Sequence, residues 1–127
     1  MEKKLRAASI CVQGGYEPKN GEPIEVPIIQ STTFKYDNSE EMAMLFDLKK
    51  EGYFYTRLQN PTNDAVAKKI AQLEGGVGAV LTRSGQAANF YAVFNICEAG
   101  HHSVTSNEIY GGTFNLFGVT LNKLGRE

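Results

Sequence analysis

Val77-Gly-Ala-Val-Leu-Thr82, followed closely by Ser84-Gly-Gln86, is the stretch that decides the fold class. The apolar run is short and uncharged, which predicts a buried strand. Ser84-Gly85 turns this strand into an apolar helix, which we expect to run from Gln86 to about Cys97. A strand that leads directly into a helix is the first half of a strand–helix–strand unit.

The next segment repeats this order. His102-Ser-Val-Thr105 is a candidate strand, and Tyr110-Gly-Gly-Thr113 leads into a helix that Gly125 ends. Strands that alternate with helices are typical of a parallel sheet with crossover helices. Because two strands cannot form a sheet that is buried on both faces, the sequence predicts an α/β fold that is incomplete in this chain.

The first part of the chain predicts a short helix and then an irregular arm. Residues 5–13 form the candidate helix, and Gly14-Gly15 ends it because glycine readily takes the left-handed cap conformation. Residues 16–33 carry three prolines and a short two-residue alternation of apolar side chains, which favours an extended arm. Such an arm needs another part of the protein to lie on.

A helix is predicted after this arm. Asn38 or Ser39 can cap it, acidic residues fill its first turn, and it should run to about Lys50 before Gly52. Its apolar face is predicted from three residues at helical spacing: Met42, Leu45 and Phe46.

Asn60-Pro61 marks the start of another helix, with Asn60 as its N-cap and Pro61 in its first position. Proline is favoured there because its missing N–H would have no partner in the helix. Its buried stripe is predicted to contain Val66, Ile70 and Leu73.

Composition narrows the classes of function. The 127 residues are 42% hydrophobic and carry a net charge of −1, so no strong field draws the chain toward nucleic acid or anionic lipid. The N-terminus lacks an apolar leader and no apolar run is long enough to span a bilayer, which predicts a cytoplasmic protein.

Cys11 and Cys97 fit no zinc pattern and predict free thiols. The side chains of His101 and His102 diverge in a strand, so no metal site is expected.

Three local patterns can carry chemistry, and the first is a phosphate site at Ser84-Gly85-Gln86. The free N–H groups and the dipole of a helix start attract phosphate, and Gly85 lets the backbone come close. The same tripeptide is also typical of an ordinary strand–helix turn.

The second pattern is Tyr55-Thr-Arg57, which places a phenol and a guanidinium two residues apart. On an extended segment both point to the same side, where Arg57 can bind a phosphate bidentately and Tyr55 can donate a further hydrogen bond. Exposed tyrosine and arginine side chains before a helix are more often surface residues.

The third pattern is Tyr110 before Gly111-Gly112. It is expected just beyond the second predicted strand, at the sheet edge where open α/β folds bind ligands. An aromatic ring at that edge can stack on a flat heterocycle, although most of the six tyrosines should be packing residues.

Taken in order, four motifs resemble the Cys/Met-metabolism family of enzymes that use pyridoxal 5′-phosphate (PLP). These motifs are Tyr55-Thr-Arg-Leu-Gln-Asn-Pro-Thr62, Leu73-Glu-Gly-Gly76, Ser84-Gly-Gln-Ala-Ala88 and Tyr110-Gly-Gly-Thr-Phe-Asn-Leu-Phe117. The resemblance implies an N-terminal arm and the first part of a large PLP-binding domain. That domain is of fold type I, similar to aspartate aminotransferase, with a mainly parallel sheet and helices on both faces. We expect residues 1–60 to form the arm with its helix and oligomer contacts, and residues 61–127 to begin the PLP-binding domain.

Within the family, Leu45-Phe46, Tyr55-Thr-Arg57 and Gln86 are more similar to O-acetylhomoserine sulfhydrylases than to cystathionine synthases or lyases. The implied reaction is γ-replacement, in which acetate leaves O-acetylhomoserine and sulfide or a thiol gives homocysteine or a thioether. Methionine γ-lyase and cystathionine γ-synthase or γ-lyase are the alternatives within the family. From a different class, a non-catalytic phosphate-binding or interaction module is the alternative.

The resemblance also implies roles for individual residues. The backbone at Gly85 and Gln86 would bind the PLP phosphate, and Tyr110 would stack on the pyridine ring. Tyr55 and Arg57 would reach the cofactor of a neighbouring subunit in a homo-oligomer, a dimer of dimers, where Tyr55 would also assist proton transfer. The lysine that forms the Schiff base with PLP matches no lysine here and is expected further along the chain. The 127 residues are therefore expected to be inactive alone.

Overall fold

The computed structural model describes residues 5–126. Its helical segments are α1 (Ala7–Gln13), α2 (Ser39–Phe46), α3 (Pro61–Glu74), α4 (Gly85–Ile96), α5 (Gly111–Asn115), a π-helix (Leu116–Leu121) and a 3₁₀ helix (Asn122–Leu124). The chain divides into two compact units, the first ending at Val80 and the second starting at Leu81. In the part that the structure describes, no helix has the length and apolarity to cross a membrane.

Helix α1 ends where the sequence predicts, and it packs against α3. The left-handed conformation falls on Gly15, with φ of +81°, whereas Gly14 is extended. A Cβ atom at Gly15 would lie 2.1 Å from the carbonyl oxygen of Ala65 on α3. Both the backbone conformation and this close approach of the two helices therefore require glycine.

Helix α2 starts as predicted but ends earlier. Asn38 is the N-cap, and its side chain accepts a hydrogen bond of 2.8 Å from the backbone N–H of Glu41. The helix stops at Phe46 and not near Lys50, because Leu48 takes a positive φ of 56° and reverses the chain. Of the predicted apolar face, Leu45 is fully buried, whereas the side chain of Phe46 is exposed.

Helix α3 has the predicted cap but not the predicted buried stripe. Asn60 is its N-cap and Pro61 occupies its first turn. The stripe of Val66, Ile70 and Leu73 is wrong, because these side chains are exposed and two alanines, at positions 65 and 71, are buried instead. A small side chain is needed at Ala65, since the backbone of Gly15, just after α1, comes into contact with the α3 backbone there.

The two predicted strands are not formed within residues 5–126. Residues 77–82 and 102–105 belong to no β-ladder, and the β-pairing in the described residues is one antiparallel bridge between Thr33 and Tyr55. Val80, which was expected to be buried, is exposed, and so is Val104. A strand of a parallel sheet obtains its hydrogen bonds from neighbouring strands, and in the described residues these two segments do not pair with each other.

The helices of the second unit agree with the sequence prediction. Helix α4 begins at Gly85 with Ser84 as its N-cap, one residue from the predicted start. The helical run that starts at Gly111 ends at Gly125, which takes the predicted left-handed conformation with φ of +73°. Arg126 then donates from Nε to the carbonyl oxygen of Cys97 at 2.6 Å, which holds the end of this run to the end of α4.

Candidate functional site

A buried polar side chain, Asn60, holds the arm to the start of α3. Only 3% of Asn60 is exposed. Its Nδ2 atom donates to the carbonyl oxygen of Ile29 at 3.0 Å and to Oγ1 of Thr56 at 3.1 Å, while Oδ1 accepts from the N–H of Thr62. The Thr62 hydroxyl donates to the carbonyl oxygen of Pro27 at 2.7 Å and accepts from the N–H of Ile29 at 2.9 Å. Asn60 and Thr62 together fix the arm over the first turn of α3, and we call this set of contacts the arm lock.

The arm in turn fixes the segment that carries Tyr55 and Arg57. The N–H of Thr56 donates to the carbonyl oxygen of Thr32 at 2.9 Å, and the Thr56 hydroxyl donates to the carbonyl oxygen of Ser31. Because Thr56 lies between Tyr55 and Arg57, these bonds set the backbone from which both side chains project.

Tyr55 and Arg57 lie against each other, but the segment is a turn and not the extended stretch that the sequence predicted, because the N–H groups of Leu58 and Gln59 both donate to the carbonyl oxygen of Tyr55. The guanidinium carbon of Arg57 is 5.0 Å from the centre of the Tyr55 ring, within the range of a cation–π contact. Tyr55 is half-buried and Arg57 is exposed. Among residues 5–126 no carboxylate forms an ion pair with Arg57, so its guanidinium is free to bind an external anion.

The start of α4 offers backbone donors to an anion. The first N–H groups of a helix have no acceptor one turn earlier. The Ser84 hydroxyl accepts from the N–H of Ala87 at 3.1 Å, and the Ser84 carbonyl oxygen accepts from Ala88. The N–H groups of Gly85 and Gln86 therefore remain for a ligand. A Cβ atom at Gly85 would meet nothing within 4 Å, so the space beside this backbone is open.

Tyr110 and Gln86 come together in the second unit. Tyr110 precedes α5 and its ring is 77% exposed. A Cβ atom at Gly112 would lie 2.7 Å from Cε1 of Tyr110 and 3.1 Å from Nε2 of Gln86, so the ring and the amide both approach this glycine. Tyr110 thus has a broad accessible face beside the start of α4.

Sequence reasoning missed the buried hydroxyl beneath this pair. Thr113 is 8% exposed, and its Oγ1 accepts from Nε2 of Gln86 at 3.2 Å and from Nδ2 of Asn89 at 3.0 Å. The signal in the sequence was a small polar residue one turn after Tyr110. Its partners lie 27 and 24 residues earlier, so spacing alone could not identify them.

The predicted site residues fall into two groups. Tyr55 and Arg57 belong to the first unit, and Gly85, Gln86 and Tyr110 belong to the second. The structure brings the members of each group together within its own unit. The roles predicted for these residues remain predictions.

A separate groove of about 690 Å³ lies in the first unit, between α1, the arm and α3. Its wall includes Tyr53 and Asp64, and it contains neither Tyr55 nor Arg57. Partial burial raises the pKa of the Tyr53 phenol above its ordinary value of 10.0, and hydrogen bonding to Asp64 and the charge of that carboxylate raise it further. Burial and the Asp64 carboxylate therefore favour the neutral form of the Tyr53 phenol.

Comparisons with known proteins are consistent across the whole chain. The sequence profile of the family described as Cys/Met metabolism PLP-dependent enzyme matches residues 8–127. The O-acetyl-L-homoserine sulfhydrylase of Leptospira meyeri is 43% identical over 126 residues, which cover 98% of this chain and 28% of the relative. The O-acetyl-L-homoserine sulfhydrylase 1 of Thermus thermophilus is 42% identical over 127 residues, covering 97% of this chain and 30% of the relative.

Solved structures give the same result. A crystal structure of a putative O-acetylhomoserine (thiol)-lyase from Campylobacter jejuni, which contains N′-pyridoxyl-lysine-5′-monophosphate, matches with a TM-score of 0.89 and 36% identity. Cystathionine γ-lyase from Lactobacillus plantarum matches with a TM-score of 0.77 and 30% identity. These matches cover 97% and 96% of this chain but 30% of each solved chain. The chain therefore spans less than a third of the length of these relatives.

Proposed function

Since the chain belongs to the PLP-dependent enzymes of cysteine and methionine metabolism, we propose that it forms the N-terminal part of an O-acetylhomoserine sulfhydrylase. The full-length enzyme would make homocysteine from O-acetylhomoserine and sulfide, or a thioether when a thiol replaces sulfide. The observation that carries this proposal is the 43% identity to a sulfhydrylase over 98% of the chain. The family resemblance predicted from the four motifs is confirmed.

The predicted fold class is also confirmed, because the chain matches PLP-dependent enzymes of fold type I over nearly its whole length. The two segments that form no ladder here lie in the part of the chain that the match covers. This is consistent with a sheet whose other strands come from the rest of the enzyme. Residues 1–60 as arm and 61–127 as the beginning of the PLP-binding domain remain our proposed division.

The residues present fit PLP. Its phosphate needs several donors, and the N–H groups of Gly85 and Gln86 lie at the start of the twelve-residue helix α4, beside open space. Its flat pyridine ring needs an aromatic partner with an accessible face, which Tyr110 provides. When bound, PLP supplies an electron sink that stabilises negative charge on carbon atoms of the substrate.

The chain's own residues would then act in defined ways. Gly85 and Gln86 would bind the phosphate through their N–H groups, and Tyr110 would stack on the pyridine ring. Arg57 would bind the PLP phosphate of a neighbouring subunit bidentately, and the Tyr55 hydroxyl would donate to that phosphate and assist proton transfer or the departure of acetate. This assignment requires a homo-oligomer, and we propose a cytoplasmic dimer of dimers that takes a small amino-acid substrate.

The test is product analysis with the full-length enzyme. O-acetylhomoserine and sulfide should yield homocysteine and acetate in equal amounts, and the rate should depend on added PLP. Formation of methanethiol, 2-oxobutanoate and ammonia from methionine, without transfer to sulfide, would assign the protein to the γ-lyases instead. Formation of cystathionine from cysteine, in preference to homocysteine, would assign it to the synthases. A protein that binds PLP or phosphate but converts none of these substrates would be the non-catalytic module.

A further inference from the structure

We infer that Thr113 is a positioning residue that joins the phosphate-binding start of α4 to the tyrosine that stacks on the cofactor, an inference that rests on the proposed function. The Thr113 hydroxyl lies in the first turn of α5, three residues after Tyr110, and is buried. It accepts hydrogen bonds from two residues of α4, Gln86 and Asn89. One hydroxyl thus connects the two helices that carry the proposed PLP ligands.

The second observation concerns Gly112. The ring of Tyr110 and the amide of Gln86 approach this glycine so closely that a Cβ atom there would come within 2.7 Å of the ring. The Tyr110 ring and the Gln86 amide therefore lie against the same backbone atom. Any movement of the Gln86 amide away from Thr113 would change the space in which the Tyr110 ring rests.

These contacts give the Gln86 side chain a role separate from that of its backbone. Its N–H group is a candidate phosphate donor, whereas its side-chain amide donates to Thr113 at 3.2 Å and does not need to contact PLP. Methionine has similar length but no donor, so this bond depends on glutamine. Thr113 and Gln86 together would set the distance between the start of α4, which binds the phosphate of PLP, and the Tyr110 ring, which stacks on its pyridine.

Removal of the hydroxyl should therefore loosen PLP without removing any atom that contacts it. In Thr113→Val the shape of the side chain is kept, but the amides of Gln86 and Asn89 lose their acceptor. The Tyr110 ring should then sample several orientations. We expect PLP to dissociate about tenfold faster, which corresponds to about 1.4 kcal/mol, the net strength of one or two hydrogen bonds.

The experiment uses the full-length enzyme loaded with PLP and two measurements on the bound cofactor. The first is the rate of PLP dissociation into an excess of a PLP-trapping protein. The second is the circular dichroism of the cofactor's visible band, which reports the chirality of its surroundings and not the stability of the protein. Thr113→Val should show faster dissociation and a weaker dichroic band. Thr113→Ser, which keeps the hydroxyl, should restore both.

Matched variants separate positioning from folding. Thr120→Val changes an exposed threonine in the same helical run and should leave both measurements within about twofold of the unchanged enzyme. Gln86→Met should reproduce part of the Thr113→Val effect while Asn89 keeps its acceptor. Adding Thr113→Val to Gln86→Met should then cost less than it does alone, since one of its two bonds is already absent. If Thr113→Val does not fold, Gln86→Met alone tests the bond through the same dichroic band.

The outcomes distinguish this inference from the proposed function. Failure of the unchanged enzyme to bind PLP would overturn the proposed function and the inference with it. Normal PLP binding by the unchanged enzyme, with the same dissociation rate and dichroic band in Thr113→Val and Gln86→Met, would overturn the inference alone. Equal effects of Thr113→Ser and Thr113→Val would also overturn it, because the hydroxyl would then be irrelevant.

Discussion

The arm and the two predicted strands were all expected to be extended, but they differ in the hydrogen bonds that the structure gives them. Residues 27–33 and residues 102–105 were both expected to be extended. The arm obtains hydrogen bonds from Asn60 and Thr62, about thirty residues further along the same unit. Residues 102–105 form no ladder in the described part of the chain. Side chains of the same unit can therefore hold an extended arm in place, whereas a strand of a parallel sheet forms only beside other strands.

Loss of the Asn60 side chain should disrupt the arm lock, and among the changes described here it should have the largest effect. Asn60→Ala leaves the partly buried N–H of Thr62 and the carbonyl oxygen of Ile29 without their Asn60 partner and removes the N-cap of α3. We expect the free energy of unfolding of the full-length protein to fall by about 2–4 kcal/mol. Urea denaturation measures this change. Asn63→Ala, at an exposed position in the same helix, is the control and should cost less than about 0.5 kcal/mol. Similar losses for both variants would mean that the arm lock contributes little.

Substitution of Arg57 tests whether the Tyr55–Arg57 segment, which the arm holds in place, contributes to PLP binding. Arg57→Ala removes a bidentate phosphate contact and should raise the dissociation constant of PLP about 10- to 100-fold in the full-length enzyme. Arg57→Lys should recover only part of this loss because the forked geometry is gone. A hybrid dimer can pair an Arg57→Ala subunit with a subunit whose phosphate-binding start of α4 is disrupted. One of its two sites then combines an intact α4 start with an intact Arg57, and that site should bind PLP. Unchanged PLP affinity in Arg57→Ala would assign Arg57 to the surface.

Tyr110 gives the corresponding test in the second unit. Tyr110→Phe should keep most of the PLP affinity, since the ring stacks through its face. Tyr110→Ala should lose about 0.5–1.5 kcal/mol of aromatic contact beyond the buried area and should also slow the reaction. Dissociation constants for PLP compare the two variants. Equal losses would indicate that the hydroxyl group binds the cofactor, and no loss in Tyr110→Ala would make this tyrosine a packing residue.

The smallest expected effect is a pH dependence at Tyr53, whose ring contacts Phe34 of the segment after the arm. Burial and Asp64 raise the pKa of Tyr53 above 10.0, so the folded state holds the phenolic proton more tightly than the unfolded state does. This contribution to stability is complete below pH 10 and is lost as the pH rises through the raised pKa. Tyr53→Phe should make the free energy of unfolding less sensitive to pH above about pH 10. Tyr91→Phe, at an exposed position, should leave the alkaline decline unchanged. A decline equally steep in Tyr53→Phe would contradict the assignment.

Local signals in the sequence predicted the starts of α3 and α4 and the end of the last helical run, but not the end of α2. Asn60-Pro61, Ser84 and Gly125 act on the chain within one helical turn, so their effect does not depend on distant contacts. The buried face of α3 could not be predicted in this way. It depends on how closely Gly15 lets α1 approach Ala65, and that contact joins residues fifty positions apart.

Local signals in the sequence were also insufficient to identify the residues of the candidate site. Tyr55, Arg57, Gly85, Gln86 and Tyr110 were identified because their motifs resemble a family, whereas each local pattern alone also fitted an ordinary turn or surface. Asn60 and Thr113, which hold these residues in place, have no motif of their own as site residues. Their importance comes from buried hydrogen bonds that only the folded chain reveals.

We propose that this chain holds its arm with its own side chains, and that strands from the rest of the proposed enzyme pair its sheet segments. Hydrogen exchange at individual amides, compared between residues 1–127 alone and the full-length enzyme, tests it directly. The amides of Ile29 and Thr56 should be protected in both, because Thr62 and Thr32 accept their hydrogen bonds. The amides of residues 78–82 and 104–105 should exchange about 100-fold more slowly in the full-length enzyme. Equal exchange at these strand amides in the two proteins would show that the rest of the enzyme does not pair them. No protection of Ile29 and Thr56 in the shorter protein would show that the chain does not hold its arm by itself.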